Sequence, residues 1–384
     1  ILQNRIDLTI LTTIFPRSKG DYSGAFLGRM VSSISKYKNI NIKIIVPSSK
    51  ESPLYEEWKN NIKIFRFKYW FKQSQQKVAY GDGKGTILNL KSSLLSVIQL
   101  PFYFFSFFYS VLKVWSNTSI FHCQWSFTAI FPIIINKIPF IKDKPIIVTF
   151  RGTDLRILPG WFNKFIIKNL TILTYVSPIK SINRYKDNFG SDIINYVKRI
   201  NGKELFCIFD PLDEKNLNIN DKTYLDDLKI KGAKIILSLG RLDELKNPIY
   251  SLKIIRSLLK YRTDFIYIIV GYGFLEEKVK NFISINKLDS YVKFEGAKKN
   301  VADYYSNSDL LLVTSHFDNV WSSTIAEAMM LGCPTVLTDA GYTSDVFKDG
   351  FDSIIIDKYN SENAAKKINY LLDNENLRTD ILKN

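Results

Sequence analysis

The stretch LSLGRLDELKN, Leu237–Asn247, ends an apolar run in a glycine and then sets Arg241 and Lys246 five residues apart, ahead of a helix-like sequence. A β-rich run, Ala233–Leu239, that stops at a glycine and leads into a helix is the repeating unit of a parallel α/β sheet. Ligands of open α/β sheets bind at the carboxyl ends of the strands, so two cations fixed there suit a diphosphate. Taken alone, the same two residues read more readily as solvated surface charges.

The pattern repeats outward in both directions. Downstream it continues at Phe265–Val270, Val292–Phe294, Leu310–Thr314, Thr335–Leu337 and Ser353–Ile356; upstream it appears at Ile6–Phe15, Ile42–Pro47, Ile62–Phe67, Ile146–Phe150 and Leu173–Val176. At 384 residues the chain exceeds one ordinary core. Asp213–Gly232, charged, rich in Asn and without an apolar period, reads as a linker. The expected domains are therefore 1–212 and 233–384, joined by 213–232.

The formal net charge of +16 is unevenly placed: Lys and Arg outnumber Asp and Glu by 30 to 12 through Leu212, and the balance is 23 to 25 afterwards. The first half also holds 35 of the 54 aromatic residues. Basic and aromatic character together fit a membrane interface; scattered over one domain without a recognisable module, they argue against nucleic acid. Cys123, Cys207 and Cys333 make neither an even disulfide set nor a CxxC pair, and His122 and His316 lack zinc-ligand spacing. With no secretory signal ahead of the first strand, a cytoplasmic location is expected, peripheral on the inner membrane face if the basic half meets anionic lipid.

Ser92–Leu112 carries no charge over 21 residues and meets the length of a membrane span. Spanning would split one sheet across two sides of a bilayer, and Pro101 interrupts the run. A buried or half-exposed helix, or contact with one membrane leaflet, fits better.

Two glycine turns and one carboxylate complete the candidates. IIVGYGF, Ile268–Phe274, ends a strand in glycines that let a backbone approach a ligand, but it lacks the dinucleotide fingerprint. FPRSKGDYSGAFLGRM, Phe15–Met30, follows the first strand and leads into a helical run whose first amides could hold an anion. In DNVWSSTIAEAMMLGCPTV, Asp318–Val336, Glu327 stands in an apolar run, where an unpaired buried carboxylate costs several kcal/mol, about as much as holds a domain together. Thr324 and Glu327 match a capping box. A helix starting near Ser322 instead puts Glu327 mid-helix, where ribose hydroxyls would satisfy it.

Together these pieces resemble the retaining glycosyltransferases of the GT-B fold, family 4: LGRLDELKN, IIVGYGFLEEKVK, VKFEGAKKNVADYYSNSDLLLVTS and EAMMLGCPTVLTDAGYTSDVFKDGFDSIII occur in the family's order, with looser likeness at VTFRGTDL, YVSPIKS and DPLDEKNL. The resemblance implies two Rossmann-like α/β domains whose parallel sheets face an interdomain cleft. It implies sugar transfer from a nucleotide diphosphate sugar to a glycan or lipid-linked glycan, in cell-surface polysaccharide synthesis, with retention of configuration and without a metal ion or cofactor. By resemblance Arg241 and Lys246 hold the diphosphate and Glu327 the ribose. Gly24, Gly271, Lys298, Asp318, Asn319, Ser322 and Ser323 fall at donor contacts, and Arg151 and Asp154 at an acceptor or sugar pocket. Asn319 stands where the family has its first glutamate, with Asp318 beside it as the substitute, and Arg151 stands where a histidine is common. Two rivals remain: a nucleotide-sugar epimerase on the same scaffold, and a non-catalytic assembly partner.

Overall fold

The computed structural model describes residues 5–18, 21, 24–50, 52–58, 61–80, 86, 89–90, 93–177, 179–200, 205–208, 210–212, 217, 219, 225–226, 229, 232–298, 300–316, 322–340 and 343–384. The chain divides into two compact units, Ile1–Pro211 and Leu212–Asn384.

The first unit is built on eight strands: β1 (Ile6–Leu11), β2 (Ile40–Pro47), β3 (Tyr55–Trp58), β4 (Ile62–Phe67), β5 (Ile120–Gln124), β6 (Ile146–Phe150), β7 (Ile172–Tyr175) and β8 (Leu205–Cys207). They form one sheet in the order β3-β4-β2-β1-β5-β6-β7-β8, parallel except for β3, which runs antiparallel at one edge. Central strands are covered on both faces and accordingly read as near-continuous Ile, Val and Leu; Ile10, Leu11, Ile44, Ile45 and Val46 are at most 1% exposed. The covering helices are α1 (Ala25–Ile34), α2 (Leu94–Val114), α3 (Ile130–Asn136), α4 (Thr153–Ile157), α5 (Gly160–Asn169), α6 (Lys186–Phe189) and α7 (Ile193–Arg199).

The second unit has six parallel strands: β9 (Lys234–Leu239), β10 (Phe265–Val270), β11 (Val292–Gly296), β12 (Leu310–Val313), β13 (Thr335–Thr338) and β14 (Ile354–Ile356), in the order β11-β10-β9-β12-β13-β14. Its helices are α8 (Pro248–Leu258), α9 (Glu276–Ile285), α10 (Ala302–Asn307), α11 (Ser323–Met330), α12 (Ser361–Asp373) and α13 (Glu375–Lys383). Tyr267, Leu252, Ile255 and Leu310 meet in the core on one side of this sheet; Leu237, Ile268, Tyr305 and Leu311 meet in the core on the other.

Among the parallel strands of each sheet the order reverses once, between β1 and β5 in the first and between β9 and β12 in the second. Such reversals open a crevice at the carboxyl ends of the strands. The sequence does not announce β5, because His122 and Gln124 alternate with Phe121 and Cys123 in a strand whose last four residues are all buried. From Leu94 onward the uncharged run is α2, which extends past Lys113 to Val114.

Candidate functional site

At the reversal of the second sheet a hollow opens at the ends of β9 and β12, walled by Gly240, Arg241, Lys246, Ser315, Ser322 and Thr324 among others. Its floor is shaped by backbone contact. Gly271 has φ +150°, and a Cβ there would lie 1.8 Å from the Gly240 carbonyl oxygen; at Gly273 it would lie 2.3 Å from that of Leu242. The Gly271 amide donates to Gly296 O at 2.8 Å. Gly271, expected at the donor, lets two strand-end loops touch.

The turn after β9 fixes the two cations. Asp243 accepts from the Lys246 amide at 3.0 Å and pairs through its other oxygen with Arg241 Nη2 at 2.9 Å. The Arg241 side chain stays 60% exposed, a charge in reach of a ligand. Across the hollow, Thr314 donates to the carbonyls of Lys246 and Asn247 at 3.2 and 3.1 Å, tying β12 to this turn. Beside it Ser315 is 3% exposed, and its hydroxyl has no hydrogen-bond partner among the described residues. A buried hydroxyl left unmade costs about 1–3 kcal/mol, so its place in the wall of a hollow is informative. The Thr-Ser pair closing LLLVTS is the only sequence signal for it.

The Ser322 side chain caps α11 by accepting from the Ile325 amide at 3.4 Å, so the helix begins at Ser323 and Glu327 lies within it. This replaces the capping-box reading of Thr324. Thr324 lines the hollow; Glu327, one turn further along the helix, does not. Its carboxylate accepts from the hydroxyl of Tyr305 at 3.2 Å. Burial, then the adjacent Glu327 charge, hold the Tyr305 phenol far above its usual range, so it stays a donor. The half-buried carboxylate thus has a partner inside the protein that no local pattern could show.

Other expected donor residues scatter. Lys298 follows β11, the edge strand two places from β9, and pairs with Glu295 at 2.8 Å, a carboxylate that also accepts from Tyr304. Ser323 opens α11. Asp318 and Asn319 lie outside the described residues. Gly24 belongs to the first unit, where it begins α1 at φ +73°; a Cβ there would lie 3.0 Å from the Phe15 Cα.

The crevice of the first sheet is filled by its own side chains. Arg151, 8% exposed, donates through Nε to Gln124 at 2.9 Å, grips both oxygens of Asp210 at 2.9–3.1 Å, and lies 4.2 Å from the Phe26 ring centroid. Gln124, its oxygen so engaged, turns its amide to His122 Nε2 at 3.0 Å, and the ring also meets Thr149 Oγ1 at 2.7 Å. Burial and the neighbouring guanidinium lower the imidazole to about 4, so it is neutral at pH 7. Asp154, expected in a sugar pocket, points inward: it is 3% exposed and accepts from the amides of Ser126, Arg151 and Leu155 at 2.9–3.2 Å. Burial outweighs these bonds and pushes its carboxyl up to about 6. Arg151 and Asp154 are thus both held by partners within the first unit. Among the described residues no three His, Cys, Asp or Glu side chains gather as metal ligands would.

Residues 221–384 match the family described as glycosyl transferases group 1. An N-acetylgalactosaminyltransferase of Campylobacter jejuni, named for a diphospho-undecaprenol-linked sugar, is 25% identical over 56% of this chain and 57% of its own length. The chain thus spans little more than half of that relative, and 44% of a second from the same organism. Sucrose-phosphate synthase from Thermosynechococcus elongatus superposes with a TM-score of 0.70 at 12% identity, over 99% of this chain and 92% of its own. HepE of Anabaena in complex with UDP-glucose does so with 0.66 at 15% identity, over 99% and 93%. The fold is the GT-B one, and the second unit carries the match to glycosyl transferases group 1.

Proposed function

We propose that this chain is a retaining, metal-independent glycosyltransferase that moves a sugar from a nucleotide diphosphate sugar to a glycan or lipid-linked glycan. The observation that carries the reading is one hollow, at the strand-order reversal of the second sheet, that gathers Arg241, Lys246 and the hydroxyl of Ser315, which has no partner among the described residues. The match of the second unit to glycosyl transferases group 1 supports the donor, and the lipid-linked substrate in the Campylobacter relative's name supports the acceptor class. Three free cysteines fit a reducing cytoplasm.

As the bond to the sugar breaks, negative charge builds on the departing phosphate. Arg241 and Lys246 face that charge with fixed cations, each worth about 2.7–4 kcal/mol if an oxyanion-hole donor is a fair measure. Ser315 donates its hydroxyl to a phosphate oxygen. Glu327, held by Tyr305 one helical turn beyond Thr324 at the hollow's wall, accepts from the ribose. The acceptor hydroxyl attacks from the face the phosphate leaves, and the phosphate takes its proton, so no carboxylate nucleophile is required.

The test is a thermal-shift screen of nucleoside diphosphates and their sugar conjugates, followed by transfer assays. At least one diphosphate should raise the unfolding temperature, and Arg241→Ala or Lys246→Ala should abolish that rise without altering the ligand-free transition. Retention of the full shift in both variants would sink the assignment.

A further inference from the structure

In the first unit, the amino-terminal half of α2 is turned inside out. Its polar residues face inward: Ser96 and Gln99 are 0% exposed, with Ser96 donating to the Asn89 and Ser93 carbonyls and Gln99 bonding the Lys77 amide and the Gln75 carbonyl. Along the whole helix an apolar stripe faces outward: Leu94, Ile98, Phe102, Phe105 and Tyr109 recur at intervals of four, four, three and four, and all are at least half exposed. A helix beside water shows the reverse arrangement. Contiguous exposed apolar surface of this kind marks an interaction site.

A second segment extends the same patch. The Trp70 ring meets Phe102 at 5.3 Å and Phe71 at 5.2 Å, with Phe71 79% exposed. Lysines border it: Lys68 and Lys72 are exposed on either side of the two aromatics, and Lys113 lies 4.5 Å over the Tyr109 ring at the far end of the helix. From Lys59 through Lys142, Asp82 is the single acidic residue against eleven Lys and Arg. A leaflet of anionic lipid meets both needs, apolar tails for the rings and headgroups for the lysines.

We propose that the outward face of α2, with Trp70 and Phe71, seats the first unit on an anionic lipid surface as an interfacial helix. It does not span. Tyr103, Phe107 and Val111 on the opposite face are 0% exposed, with Phe107 packed on Phe67 at 4.7 Å and on Phe131 at 4.4 Å, so extracting the helix would open the core. Pro101 lies on the exposed side, where its ring adds to the apolar surface. This inference stands apart from the reading of the second unit.

The experiment is flotation of the full chain with vesicles of phosphatidylcholine alone or mixed with phosphatidylglycerol, for wild type, Phe102→Glu/Phe105→Glu and Lys68→Glu/Lys72→Glu. Wild type should float with the mixed vesicles at low salt. The phenylalanine pair should cut the bound fraction by about tenfold or more at any salt, and the lysine pair mainly at low salt. Both variants should keep the wild-type unfolding temperature and any nucleotide-induced shift, which separates this surface from the proposed donor site. Wild type remaining unbound, or the phenylalanine variant floating equally well, overturns the proposal. So does a concentration-dependent dimer, formed without vesicles and dissolved by the phenylalanine pair, because a second copy would then cover the face.

Discussion

The two strand-order reversals occupy equivalent places in their sheets and are furnished in opposite ways. Between β1 and β5 the polar groups satisfy one another: Arg151 binds Gln124 and Asp210, Gln124 binds His122, and Asp154 takes three amides. Between β9 and β12 they do so only in part: Arg241 pairs with Asp243 yet stays largely exposed, and the Ser315 hydroxyl has no partner among the described residues. A polar crevice that closes on itself is architecture; one left open is prepared for a ligand.

The largest test of that contrast is Arg241→Ala, which should lower transfer turnover by about 10²–10³-fold while leaving the unfolding temperature unchanged, as steady-state assays beside thermal melts would show. Arg151→Ala should do the converse. Leaving Asp210 and Gln124 without their partner should cost about 3 kcal/mol in denaturant unfolding of the first unit, with unchanged diphosphate affinity. A loss of affinity there would break the comparison.

The closed crevice also has a pH signature. His122 binds its proton at about 4 when folded against 6.5 ordinarily, so the unfolded chain is protonated first. Its stabilising contribution is complete above about 6.5 and is lost as the pH falls toward 4, by about 1.4 kcal/mol per unit and about 3 kcal/mol in all. Asp154 runs the other way: raised to about 6 from 3.8, it contributes below 3.8 and its share fades as pH rises through about 6. The readout is therefore the difference between wild type and His122→Gln in denaturant unfolding, with the variant gaining relative stability as the solution is acidified. A constant difference from pH 7 to 4 would remove the buried-histidine account.

Ser315→Ala gives the smallest effect and the finest discrimination. Without ligand it should leave stability unchanged or raise it by up to about 1 kcal/mol, because an unmatched hydroxyl is removed. With the diphosphate it should weaken affinity by about tenfold in calorimetric titration. Equal weakening of stability and affinity would show that Ser315 has a structural partner.

The architecture was readable because a parallel sheet writes itself locally: runs such as Ile62–Phe67 and Phe265–Val270 coincide with β4 and β10. The strand β5 escaped because its buried His122 and Gln124 imitate a solvated segment, and their partners on β6 and beyond are distant in sequence. The cations of the hollow were legible as residues on one short turn. Tyr305 was not, since a tyrosine 22 positions before Glu327 becomes its neighbour only when α10 and α11 pack side by side. Gly271 was read as an opening for a ligand, yet the space its missing side chain leaves is filled by the Gly240 carbonyl.

That last contact has a practical meaning for anyone seeking to redesign specificity. Residues 240–242 and 271–273 touch backbone to backbone, and a methyl group on Gly271 or Gly273 has nowhere to go. Libraries that diversify one loop while freezing the other will sample mostly collapsed pockets, whereas grafting both loops as a pair keeps the hollow's shape as it changes its chemistry.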